Sequence, residues 1–216
     1  MFKIKDFVST PEGKIFIAGV LLLFGYILSV VNLYLFSIKD ANNLVGMTVT
    51  NFFFGRAAGI SYGYTADFSD LAIVFVNILI EFIMVLLIYP LFVLSWNRSL
   101  NLGFLKDMAL NVEKQRLKYK EFFDKYGKYG LFVFVWFPFW MTGPVVGSII
   151  GFLIGIRHYN TIFVVLSGTS LAIVVWTYFL KEIILLLDKV SSNASYIILA
   201  IFILLVIVFK FVGDKK

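Results

Sequence analysis

From Leu131 to Ile156 the chain carries no charged side chain. The run is long enough to cross a bilayer, yet it is broken near its middle by Pro138 and by Thr142-Gly143-Pro144. Proline removes a backbone donor, so a break at membrane depth must be packed by protein or line a wet cavity. After the break, Gly143, Gly147, Gly151 and Gly155 recur every fourth residue. Small residues at that spacing let helices approach closely, and Gly147, Gly151 and Gly155 read first as helix packing. The stretch 129–156 therefore either crosses with a kink or dips in and returns, and the rest of the sequence decides which.

The chain is 61% hydrophobic and 15% charged, far from the balance of a soluble domain. Several long uncharged runs make it a polytopic, all-α membrane protein. It has no Cys and one His, so no disulfide, thiolate site or histidine metal cluster is available, and no metal or cofactor is expected. Lys3, Lys5 and Lys14 precede an apolar run too long for the core of a cleavable signal. The net charge of +6 points to anionic lipid headgroups, and nucleic acid is not expected. No phosphate-binding loop, nucleophile elbow or metalloprotease motif appears, so the chain does not read as an enzyme.

Taken in order, Ser9-Thr10-Pro11-Glu12 signals a helix start, and 15–36 is a first span. Residues 37–50 read as a polar loop. Residues 51–66, NFFFGRAAGISYGYTA, are too short to span and too apolar for an exposed loop, so they read as re-entrant. The second span is 71–96, with Glu81 near its middle, Asn77 one turn earlier and Trp96 at the interface. Eight of the nineteen Lys and Arg lie over 97–128, and 103–127 reads as a cytoplasmic amphipathic helix. Further spans follow at 160–187 and 195–212.

Charge parity addresses the opening question. If 129–156 crosses, the C-terminal lysines end outside; if it returns, the basic N-terminus, the linker, Arg157 and the C-terminal lysines all lie inside. The second solution fits better. It gives about four full transmembrane helices and a central amphipathic helix. Two re-entrant hairpins then open to opposite faces and meet near the midplane as an inverted repeat. The expected location is a prokaryotic inner membrane with both termini cytoplasmic.

The stretch KYGKYGLFVF, the turn F-P-F-W-M-T-G-P and the glycine-rich helix after it resemble the small multidrug export protein family, a relative of the DedA and VTT-domain proteins. Pro138, Thr142 and Gly143 match the family's P-x-P-G-T-G run, and Trp140 and Met141 depart from it. In FFGRAAGISYG, Arg56, Ala57 and Ala58 fit a looser motif that lacks its usual acid and proline. The resemblance covers roughly 50–180. It implies facing re-entrant hairpins and transport of a lipid-linked or amphipathic substrate, such as an anionic phospholipid or polyprenyl phosphate.

Candidate site residues follow. Arg56 is suited to bind an anionic headgroup; the bland reading sets it near the interface, on lipid phosphates or paired with Asp67 or Asp70, and a pair with Glu81 fits either. Glu81 with Asn77 is a candidate for proton coupling, because a membrane-buried carboxylate is costly unless paired or protonated; a structural Glu is the alternative. Pro138, Thr142, Gly143 and Pro144 form a turn whose freed backbone groups could contact substrate, or simply turn the chain. The function expected is a small secondary transporter or flippase, with a non-transporting scaffold or assembly factor as the alternative. Expected partners are membrane lipids, protons where transport is coupled, and a second copy of the chain in a homo-oligomer.

Overall fold

The structure, a computed structural model, describes residues 8–96, 117, 120–136, 143–189 and 194–213. Among the described residues there are eight helices and no strand. They are α1 Pro11–Phe36, α2 Ile38–Phe54, α3 Arg56–Thr65, α4 Asp70–Trp96, α5 Lys120–Phe134, α6 Pro144–Leu153, α7 His158–Asp188 and α8 Ala194–Gly213. By length and composition α1, α4 and α7 can each cross a membrane, which makes the chain an integral membrane protein. The apolar stretch of α8, Tyr196–Leu205, is shorter than the span expected there.

The start of α1 matches its sequence signal: the Gly13 N–H donates to Thr10 Oγ1 at 3.0 Å. The loop expected over 37–50 is instead a helix. Ser37 is extended, with φ −152° and ψ 103°, and its Oγ accepts the Asp40 N–H at 3.3 Å. Asp40 also complements the positive end of α2. Ala41, Met47 and Asn51 form the buried face, hidden in sequence by the asparagines and threonines between them. Ser37→Ala should therefore lower stability by about 1 kcal/mol, read as a lower melting temperature in detergent.

The broken helical element that contains 51–66 is thus longer than those residues. It runs from Ile38 to Thr65 and breaks at one residue, Gly55, where φ is 85° and ψ 175°. A side chain is disfavoured in that conformation. Most of the helix expected over 103–127 lies outside the described residues; α5 begins at Lys120 and kinks at Gly127.

Packing divides the chain into two compact units. The first draws on residues 11–25, 81–96, 120–136 and 143–169, with Ile15, Val85, Tyr89, Leu131, Ile149 and Val165 in its core. The second draws on 26–80 and 170–213, with Met47, Ala57, Ile60, Ile73, Leu180 and Ile198 in its core. There α8 packs on α3 and, to a lesser extent, on α2.

Each unit contains the same local construction, 88 residues apart (143 − 55). Gly55 opens the ten-residue α3 and Gly143 opens the ten-residue α6. The Ala66 N–H bonds the Tyr62 carbonyl just as the Ile154 N–H bonds that of Ile150. Phe68 to Gly63 matches Ile156 to Gly151. The left-handed residues Asp67, φ 58°, and Gly155, φ 81°, also correspond. Long helices then begin at Asp70 and His158.

Candidate functional site

Directly after the break between α2 and α3 the chain is buried. Arg56, Ala57 and Ala58 open α3 and are all almost completely buried. Gly55 offers no side chain to cap them. The first N–H groups of a helix have no acceptor inside it, and together they carry partial positive charge. A buried, uncapped helix start whose first residue is arginine is an environment arranged for negative charge.

One turn away lies a buried amide pair. Asn51 Nδ2 donates to Asn77 Oδ1 at 2.5 Å, and Asn77 Nδ2 donates to the Ile73 carbonyl at 2.7 Å. Asn51 Oδ1 and Ser61 Oγ are buried with no hydrogen-bond partner among the described residues. Gly59 lets α3 lie directly on this pair. A Cβ there would fall 2.6 Å from Asn77 Oδ1 and 2.7 Å from Asn51 Cβ. Asn77, expected as a companion of Glu81, is thus hydrogen-bonded to Asn51, a residue the sequence did not single out. The only hint was an amide four residues before a glycine break.

Asp70, one of the expected partners of Arg56, is engaged elsewhere. Lys181 Nζ donates to Asp70 Oδ2 at 2.5 Å, and the Tyr64 hydroxyl reaches Oδ1 at 3.4 Å and the Thr177 carbonyl at 3.0 Å. Burial, then the Asp70 charge, raises the Tyr64 phenol above its ordinary range, so it remains a donor.

In the other unit, Glu81 is 4% exposed on α4. Pro144 is the first residue of α6 behind Gly143, and no side chain caps that end either. Pro138 and Thr142 lie outside the described residues. The glycine ladder divides by role. A Cβ on Gly147 would fall 2.5 Å from Val135 Cγ1, and one on Gly151 2.5 Å from Thr161 Cγ2, so both are packing positions. Gly155 is a correction: a Cβ there would meet nothing within 4 Å, and its φ of 81° makes it a turn residue beyond the end of α6.

A further cluster was not foreseen. His158 Nε2 lies 3.2 Å from Glu12 Oε1, and its Nδ1 lies 2.8 Å from the Tyr89 hydroxyl. Three helices contribute to it, so no local pattern could announce it.

Comparison with known families matches residues 56–175, just over half of the chain, to the family described as "Putative small multi-drug export protein". No curated protein and no solved structure matches.

Proposed function

The chain belongs to the small multi-drug export protein family, and from that premise we propose that it is a secondary transporter for amphipathic molecules bearing negative charge. An anionic phospholipid or a polyprenyl phosphate has the required chemistry. The observation that carries this reading is the buried, uncapped start of α3 with Arg56 as its first residue. That end would hold the anionic group through backbone N–H groups and guanidinium. Asn51 Oδ1 would accept from a hydroxyl or ammonium on the same headgroup. Glu81 would carry the coupled proton, and the matching opening of α6 at Gly143-Pro144 would form the second gate. No covalent step is involved.

The contacts within each unit support two re-entrant hairpins, the arrangement that the resemblance to DedA-like proteins implies. In the first unit, Glu12 and Tyr89 meet His158, so the starts of α1 and α7 lie against the C-terminal half of α4. In the second, the start of α4 meets the late turns of α7 through Asp70 and Lys181. The helices α1 and α7 then run one way and α4 the other. Residues 37–69 and 97–157 would each return to the face they left. With basic residues inside, that face is cytoplasmic for 97–157.

The test is transport in proteoliposomes with fluorescent phosphatidylglycerol and fluorescent phosphatidylcholine as probes. Wild type is expected to move the anionic probe, Arg56→Gln to lose at least tenfold of that rate while folding normally, and Arg56→Lys to keep part of it. Glu81→Gln should remove any dependence of the rate on pH. Equal rates for wild type and Arg56→Gln would sink the anion site.

A further inference from the structure

Asp70 and His158 hold equivalent places: each is the first residue of a long helix, and they are 88 residues apart (158 − 70). Each also meets a side chain that can carry the opposite charge. Asp70 takes Lys181 at 2.5 Å, and His158 meets Glu12 at 3.2 Å. The surroundings correspond as well. Asp70 is touched by Tyr64, and His158 stacks on Phe152, its counterpart at the same offset, with ring centroids 6.1 Å apart. Tyr64 reaches Thr177 on α7, and His158 reaches Tyr89 on α4, again positions 88 apart. In the second unit the start of α4 is thus tied to α7 by Lys181 and, through Tyr64, by Thr177; in the first the start of α7 is tied to α4 by Tyr89 and to α1 by Glu12.

We propose that these two clusters are the latches of the transporter: Asp70–Lys181 with Tyr64 holds the second unit closed, and Glu12–His158 with Tyr89 holds the first. This rests on the transport reading above. Lys181 and Glu12 are positioning residues, acting on access rather than touching substrate. Their partly exposed setting suits the role. The side chains of the Lys181–Asp70 pair are 38% and 26% exposed, and those of His158 and Glu12 are 29% and 14% exposed. Pairs in such positions are individually weak and readily exchanged for water, so opening one is cheap. A fully buried pair would instead lock the unit. Each unit also has a fully buried serine on its ten-residue helix, Ser61 in the second and Ser148 in the first. Water should reach them only when that unit opens.

The chain has no Cys, so Ser61→Cys and Ser148→Cys are clean single reporters. Maleimide labelling rates in detergent are measured for each, with melting temperatures alongside. Lys181→Gln is expected to speed labelling at the Ser61 reporter by roughly two- to fivefold, the factor a weak pair can supply, and to leave the Ser148 reporter unchanged. Glu12→Gln should do the reverse. Exchanging the pair, Asp70→Lys with Lys181→Asp, should restore slow labelling at the Ser61 reporter. No change at either reporter, or equal acceleration at both, overturns the latches. If Lys181→Gln fails to fold, the exchanged pair carries the test: slow labelling supports the latch and fast labelling overturns it. Labelling needs no substrate. A failure here therefore removes the latches and leaves the proteoliposome result standing, and a failure of transport leaves the labelling result standing.

Discussion

Adding one methyl group at Gly59 is expected to destabilise the protein by on the order of 3 kcal/mol. The new Cβ would sit 2.6 Å from Asn77 Oδ1 and 2.7 Å from Asn51 Cβ, with the Asn51 Cα at 3.1 Å. Backbone on one side and a hydrogen-bonded amide pair on the other leave little room to give. Overpacking of this kind costs about 1–3 kcal/mol, and a buried amide pushed off its partner adds about 1–3 more. Gly25 is the control, since nothing lies within 4 Å of a Cβ there. Gly25→Ala in the interior of α1 should be neutral or stabilising by up to about 1 kcal/mol. Thermal or denaturant unfolding of the two variants in the same detergent separates them. Equal stability would mean that α3 does not lie on the Asn51–Asn77 pair.

Asn77→Leu should be the second large loss, about 2–4 kcal/mol, because it strands Asn51. The Asn51 amide nitrogen would lose its acceptor while its oxygen already lacks a donor among the described residues. The double change, Asn51→Leu with Asn77→Leu, should recover most of that loss, since removing both partners leaves neither amide stranded. A double-mutant cycle would then give a coupling well above 0.5 kcal/mol. Transport should not recover with stability, because Asn51 Oδ1 is proposed to face the substrate. Additive losses would show that the two amides do not depend on one another.

Much of this was legible in the sequence where the signal is local. The spans announced themselves by apolar length, the start of α1 by Thr10 and Pro11, and Gly147 and Gly151 by their spacing. The helix α2 was not legible, because Asp40, Asn42, Asn43, Thr48 and Thr50 give it a polar look that hides a narrow buried face. Gly155 was misread because regular spacing continues past the end of α6, where the need is for a left-handed residue rather than a small one. The recurrence at 88 residues was faint, since the side chains differ: Arg56 stands opposite Pro144, and Glu81 opposite Thr169. It is carried instead by backbone hydrogen bonds and turn conformations, which many sequences can satisfy. The Asn51–Asn77 pair and the Glu12–His158–Tyr89 cluster depend on tertiary neighbours, for which a single sequence offers no pattern.

The central claim is that both broken elements return to the face they entered from, presenting a buried helix start within the membrane. For the second, the direct measurement is impermeant thiol labelling of Leu117→Cys and Arg157→Cys in intact cells and in inverted vesicles. Both residues are exposed and flank the break. Two re-entrant hairpins require the two cysteines to label from one and the same face, the cytoplasmic one. Labelling from opposite faces would mean that the segment between them crosses the membrane, and the inverted pair of hairpins would be wrong.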